Sequence, residues 1–421
     1  MTVAILGATL NAGVMAVLLS EYGNQVYWCS HKNNEPSTSK HIQYLDEEVN
    51  FRLDKQYKLG QLLYSSLADL PSNVDVYFFC YSPTEIGLAV QTLKALAMKP
   101  IIHPRLMINA ATLGLNGTNK LSEISPQDYW VYLPDVIQEG NAINSVLHLK
   151  QIIVGVEEEQ AKTLVEELLR PMFSTTNQYL FMPILDAEFT KLSISGMLAT
   201  RISYMNDLAM VAEKLGIDIA NVKQGMGADT RIGSSYLSPG AGFGGENFSH
   251  DILTLSSEVS KSGAKSRLLQ QVLDINEQQK EILFRKLWNY YHSDLSNKVV
   301  AIWGAAFKEN TSSIHNSPIH AMLNALWAQG AKVKLHDPQA LKEIYKQYGH
   351  REDLILCTNA YDAVQDADAL CVITAWKQYF NPDYKKLQQF MRHPLILDGR
   401  NIYDPQYVKT QGFAYEGVGR V

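Results

Sequence analysis

Val3-Ala4-Ile5-Leu6-Gly7-Ala8-Thr9-Leu10-Asn11-Ala12-Gly13 begins with four apolar residues, bends at a glycine and continues into a helical pattern. A buried strand, a glycine turn and a helix in that order are the first half of a βαβ unit. Such a turn is a natural seat for a dinucleotide pyrophosphate. Its first glycine makes the bend, its second lets the backbone approach the phosphates, and the helix N-terminus faces the anion. Gly7 is in place, but Thr9 stands at the second glycine position and Ala12 at the third. Alanine is tolerated there, whereas Thr9 brings a side chain where bare backbone is expected. Gly7, Thr9, Leu10 and Ala12 are the expected cofactor contacts in this turn.

The pattern repeats outward from that stretch. Runs 26–29, 74–80, 106–108, 130–133 and 152–156 read as strands, with helical spacing between many of them, notably 11–22 and 84–97. Alternating strands and helices predict a parallel, doubly wound sheet. From about Asp186 the periodicity becomes helical: 187–215 is one long stretch without proline, and 264–291 reads as helix again after a glycine-rich segment from 225 to 245. Strand and helix signals return at 299–303, 332–335, 354–357, 369–373 and 395–397, with helices at 318–328 and near 384–391. The expected architecture is two Rossmann-like α/β domains, 1–185 and 294–421, joined by an all-helical middle, 186–293.

The end of the second strand bears on the cofactor. An NAD site usually carries an acid there, on the ribose hydroxyls. Here the run is Cys29-Ser30-His31-Lys32. Hydroxyl, imidazole and ammonium suit a 2′-phosphate, so NADP, NAD and a site without a tightly held dinucleotide all stand open.

The net charge of −6 over 421 residues gives no electrostatic reason to expect nucleic acid or an anionic membrane as partner. No apolar stretch approaches the roughly 20 residues needed to span a bilayer. The four cysteines, Cys29, Cys80, Cys357 and Cys371, lack metal-ligand spacing and lie in or beside apolar runs. They are expected to be core residues in a reducing compartment, the cytoplasm. The chain starts on a strand with no basic region or cleavage site before it, so a signal peptide is not expected. No metal site is expected.

The later segments are more specific. Pro239-Gly240-Ala241-Gly242-Phe243-Gly244-Gly245-Glu246-Asn247-Phe248-Ser249-His250-Asp251 resembles the active-site loop of the UDP-glucose/GDP-mannose dehydrogenase family, which typically reads P-G-x-G-F-G-G-S-C-F-P-K-D. Ala187-Glu188-Phe189-Thr190-Lys191 is similar to the family's A-E-x-x-K, and Asp229-Thr230-Arg231-Ile232-Gly233 to its D-x-R-I-G. Gly304-Ala305-Ala306-Phe307-Lys308-Glu309-Asn310-Thr311 resembles G-x-A-F-K-x-N-T. Thr374-Ala375-Trp376, Asp398-Gly399-Arg400-Asn401 and Pro134-Asp135-Val136-Ile137-Gln138-Glu139-Gly140 fall in family order as well.

The resemblance implies a homodimer through the helices 187–215 and 264–291, acting on a nucleotide sugar with NAD or NADP. Family members oxidise the sugar 6-hydroxyl to a carboxylate, passing through an aldehyde captured by a cysteine thiolate. It implies Lys191 as the cation that steadies the oxyanion and Asp251 as base or water-positioning carboxylate. Asp135 stands for a glutamate that assists hydrolysis, and Ser195 for an asparagine beside the lysine. Arg231, Phe243, Gly244, Gly245, Lys308 and Arg400 are implied substrate contacts. Ser82, Thr112 and His315 are implied near the cofactor.

The departure that matters most is Asn247, at the place of the nucleophilic cysteine. A carboxamide donates and accepts hydrogen bonds but is no nucleophile. A single two-electron step between alcohol and carbonyl is therefore expected. A non-catalytic nucleotide-sugar binder and a four-electron dehydrogenase working by an unusual route are the alternatives. Cys80 as a substitute thiol is the weaker reading; a buried small hydrophobe is expected there.

Overall fold

The computed structural model describes all residues except 31–43, 45, 100–103, 174–177, 265, 266 and 421. The chain divides into two compact units, Met1–Ile194 and Ser195–Val421.

The N-terminal unit is built on an eight-stranded sheet: β1 (Thr2–Leu6), β2 (Gln25–Cys29), β3 (Leu62–Tyr64), β4 (Val76–Phe79), β5 (Leu106–Asn109), β6 (Tyr129–Tyr132), β7 (Ile152–Val156) and β8 (Tyr179–Met182). The spatial order is β3-β2-β1-β4-β5-β6-β7-β8. β4 and β5 are buried at every residue, as strands covered by helices on both faces must be. That explains why they read as unbroken apolar runs. The order reverses between β1 and β4, so the crevice at the carboxyl end of β1 is the topological switch point, directly at Gly7. The sheet is not wholly parallel as expected: β7 runs antiparallel to β6, pairing Val131 with Val156.

The C-terminal unit holds six strands, β9 (Val299–Trp303), β10 (Lys332–His336), β11 (Leu354–Cys357), β12 (Ala369–Val372), β13 (Leu395–Asp398) and β14 (Ala414–Gly417). They are ordered β11-β10-β9-β12-β13-β14, with every pairing parallel. Here the switch point falls between β9 and β12.

The helical middle starts with a 32-residue helix, Ile184–Leu215, and continues with Ile219–Ala228, Glu246–Lys261, Leu268–Gln279 and Ile282–Tyr290. The segment 264–291, expected as one helix, is broken at Lys280 and Glu281. There the Glu281 N–H reaches back only three residues, to the Gln278 carbonyl at 3.3 Å, and the turn tightens. None of the described helices is long and apolar enough to cross a membrane.

Candidate active site

In the N-terminal unit the turn after β1 is held by its own surroundings. Gly7 has φ +112°, and a Cβ there would lie 2.1 Å from the Cys80 carbonyl oxygen, so only glycine fits. Thr9 does not obstruct the turn as expected. It is the N-cap of the helix Leu10–Glu21, its hydroxyl accepting the Ala12 N–H and donating to the Cys80 carbonyl at 3.1 Å. The side chain is thus folded against the sheet. Tyr44, which no motif flagged, donates its hydroxyl to the Thr9 carbonyl at 2.8 Å and lays its ring against Gly13. Buried Asn11 ties the helix start to the end of β5 through the Ala110 carbonyl at 3.0 Å.

Among the described residues the N–H groups of Leu10 and Asn11 meet no protein acceptor, as the first helical donors of a phosphate-binding turn should not. These donors at the helix start fit a dinucleotide pyrophosphate. Ser30 is buried at the end of β2. His31 and Lys32 lie outside the described residues.

Elsewhere in this unit, Ser82 caps the short turn 83–85, its N–H donating to Glu85 at 3.0 Å. Thr112 is buried after β5. Half-buried Asp135 accepts the Ile137 N–H at 3.0 Å. Cys80 is buried, and burial together with the Asp135 charge pushes its thiol far above the ordinary range. A thiol that holds its proton this firmly is a poor nucleophile. Half-buried Lys191 projects from the long helix. One turn earlier, buried Glu188 accepts both the N–H and the hydroxyl of Thr118, at 2.8 and 2.7 Å, and burial raises its carboxyl. Thr118 also takes a bond from Asn109 at the end of β5, so the lysine-bearing helix is pinned to the strand ends.

In the C-terminal unit the glycine segment is clasped from two sides. The buried Asn276 side chain accepts the Phe243 N–H at 2.8 Å and donates to the Phe243 carbonyl at 3.1 Å. The Gly245 N–H donates to the carbonyl of exposed His315 at 2.8 Å, and a Cβ at Gly244 would sit 2.5 Å from the Asn316 carbonyl oxygen. Asn316, also missed from sequence, donates to Ser249 at 2.8 Å and accepts from buried Lys280 at 2.5 Å. Arg400 donates to three carbonyls, of Ile373 (2.6 Å), Gly242 (3.3 Å) and Phe307 (3.1 Å). Enclosure lowers its guanidinium pKa, opposed by the charges of Glu309 and Asp398. Among the described residues those three side-chain bonds all go to carbonyl oxygens, while the nearby carboxylates act on the guanidinium through charge. Half-buried Lys308 lies next along the chain after Phe307.

Asn247 is exposed in the first turn of the helix Glu246–Lys261. Four residues on, Asp251 is 1% exposed and accepts the Ser195 hydroxyl at 2.7 Å. The structure thus joins two expected catalytic residues 56 positions apart. Arg231 is largely exposed, its guanidinium and backbone N–H both bonded to Asp229, whose carboxyl it holds below the usual range. Arg201 fixes the same loop by donating to the Ile232 and Gly233 carbonyls at 2.9 and 2.8 Å.

With this geometry in view, two profiles match the chain. The UDP-glucose/GDP-mannose dehydrogenase family, central domain, covers residues 185–278. The same family's UDP binding domain covers residues 301–405. A UDP-glucose 6-dehydrogenase of Pseudomonas aeruginosa is 36% identical over 290 residues, which are 68% of this chain but only 64% of that protein. The UDP-glucose 6-dehydrogenase TuaD of Bacillus subtilis is 27% identical over 437 residues, covering 99% of this chain and 93% of its own. In fold, a UDP-glucose dehydrogenase of the archaeon Pyrobaculum islandicum superposes with a TM-score of 0.87 at 22% identity, over 100% of this chain and 98% of its own.

Proposed function

From the premise that the chain belongs to the UDP-glucose/GDP-mannose dehydrogenase family, we propose that it is an NAD- or NADP-dependent oxidoreductase moving one hydride between an alcohol and a carbonyl of a nucleotide sugar. The observation that carries this reading is the pairing of loss and retention around one helix start. At the second helical position stands Asn247, where a thiol would be activated by the helix N-terminus. Beneath it the Ser195–Asp251 pair is buried and bonded.

Gly7, Leu10 and Asn11 would hold the pyrophosphate of the dinucleotide, which when bound supplies the hydride acceptor. Asp251 would take the proton of the reacting hydroxyl, and Ser195 orients its carboxylate by donating to Oδ2. Lys191 would stabilise the developing alkoxide. Arg400 and Lys308 would face the diphosphate, and the glycine segment 242–245 would leave room for the sugar. With no thiol to trap an aldehyde, the reaction stops after one hydride. The unit of function proposed is a cytoplasmic homodimer through the long helix.

The test is a stoichiometry. Purified protein is incubated with UDP-, GDP- and dTDP-sugars and either cofactor, in both directions, while absorbance of the reduced cofactor is followed. One cofactor turned over per sugar is expected. Two per sugar would mean full oxidation by another route, and none with any pair would mean a binding protein.

A further inference from the structure

The C-terminal unit contains a second turn of the kind that opens the chain, and it is already filled. After β9, the N–H groups of Gly304, Ala305, Ala306 and Phe307 and the carbonyls of Ala305, Ala306 and Phe307 all have protein partners. The Gly304 N–H donates to the His336 carbonyl at 2.8 Å, and the Phe307 N–H to the Ser313 carbonyl at 3.0 Å. The Ala305 and Ala306 carbonyls receive the hydroxyls of Ser317 and Thr374 at 2.7 and 2.6 Å. Their N–H groups both donate to Asp337 Oδ2, at 2.7 and 3.1 Å. Asp337 follows β10 directly and is 1% exposed. Its Oδ2 also takes the Trp376 indole N–H at 3.1 Å, and its Oδ1 takes the N–H groups of Gln339 and Ala340, both at 2.8 Å.

The comparison within the chain is instructive. In an open α/β sheet the acid after the second strand ordinarily faces outward, toward a ribose. The N-terminal unit has Ser30 there and leaves the Leu10 and Asn11 donors without protein acceptors among the described residues. The C-terminal unit has the acid, but it is bent back over the turn, and five N–H donors converge on it. A carboxylate so surrounded does what a bound phosphate does at such a turn: it supplies negative charge and acceptors to backbone donors. The turn it fixes ends at Phe307, whose carbonyl receives Arg400 and whose ring lies where a Cβ on Gly245 would be 2.8 Å away.

We propose that Asp337 is a built-in anion: it fills the phosphate seat of the C-terminal turn, keeps a dinucleotide out of that unit, and positions Phe307 and Arg400 for the substrate. The effect on substrate rests on the nucleotide-sugar reading above; the filling of the turn does not.

The experiment compares the wild-type chain with Asp337→Ala and Asp337→Asn. Thermal melting is followed in sodium chloride and in inorganic phosphate at matched ionic strength. Asp337→Ala empties the seat, so phosphate should raise its melting temperature by several degrees more than the general salting effect seen in the wild type. Asp337→Asn fills the same space but turns an NH2 group toward N–H donors; it should melt lower and show only the wild-type response to phosphate. Both variants should bind UDP roughly tenfold more weakly by calorimetry, with KM for the nucleotide sugar rising more than kcat falls. A phosphate response of Asp337→Ala equal to that of the other two proteins would overturn the proposal. If that variant folds only from denaturant, its refolding yield in phosphate against chloride gives the same reading, and equal yields would sink the idea. Failure of the wild type to bind UDP would overturn the nucleotide-sugar reading and leave the phosphate response to decide Asp337.

Discussion

Of the departures from the family's motifs, Asn247 is the one that bears directly on acid formation. Asn247 and a cysteine differ little in size, but only a thiolate can add to an aldehyde and later leave. Position 247 is in the first turn of its helix, where the backbone dipole would favour a thiolate. Asn247→Cys should therefore give a thiol that alkylates with a midpoint below the ordinary cysteine range of about 8.5. It should also raise acid formation from the nucleotide sugar by roughly tenfold or more, equivalent to about 1.4 kcal/mol of barrier. Product acid measured by mass spectrometry checks the second claim. No gain, with the thiol alkylating normally, would mean that the pocket around it has been rebuilt for another reaction. The buried Ser195–Asp251 bond offers a companion test: Ser195→Ala strips a donor from an enclosed carboxylate and should cost roughly 1–3 kcal/mol in denaturant unfolding. An unchanged unfolding midpoint would show that the bond contributes nothing.

The two glycine turns are small elements on which much depends. Gly7→Ala would require a φ of +112° from an L residue and place its Cβ against the Cys80 carbonyl. Roughly 3 kcal/mol or more of stability should be lost, together with cofactor binding, read as a lower urea midpoint and loss of cofactor-induced stabilisation. A midpoint equal to the wild type would mean that the turn is not built as described. Elements of this kind were the legible part of the sequence. β1, β4 and β9 are apolar runs because both faces of their sheets are covered, and the strand–glycine–helix order told where the turn would fall. The short strand β3 and the edge strands β8 and β14 were not legible, since three or four residues with partly exposed patterns carry little periodic signal. Linear motifs pointed to Lys191, Ser195 and Asp251 as candidates, and the fold bonds Ser195 to Asp251. The motifs did not give the direction of Thr9, whose hydroxyl bonds fold it against the sheet. Nor could they give Tyr44 or Asn316, whose roles depend on contacts made only in the fold. Asp337 shows the converse: an acid after a second strand reads as a ribose ligand, and only the fold turns its oxygens inward.

At the scale of the whole molecule, the long helix carries a row of exposed apolar residues. Met197, Tyr204, Val211 and Leu215 are 62%, 52%, 44% and 66% exposed, and their spacing of seven, seven and four residues places them on one face of the helix. An apolar stripe of this kind marks an interface, and a two-fold axis lets one stripe bury another copy of itself. Arg231, anchored by Asp229 and Arg201 yet pointing into solvent, fits the same arrangement, since a rigid exposed guanidinium is suited to reach a site on a neighbouring copy. Tyr204→Asp with Val211→Asp puts two charges into that stripe without touching either sheet. Sedimentation should then show a monomer where a dimer is expected for the wild type, with the melting of the sheets kept cooperative. Activity should fall with dimer content and return when Arg231 is supplied by a partner: mixing an Arg231→Ala chain with an Asp251→Asn chain should restore up to about half of one site's turnover per dimer if the arginine serves the neighbour. A double-aspartate variant that remains dimeric would place the interface elsewhere, and mixed dimers without activity would confine Arg231 to its own chain.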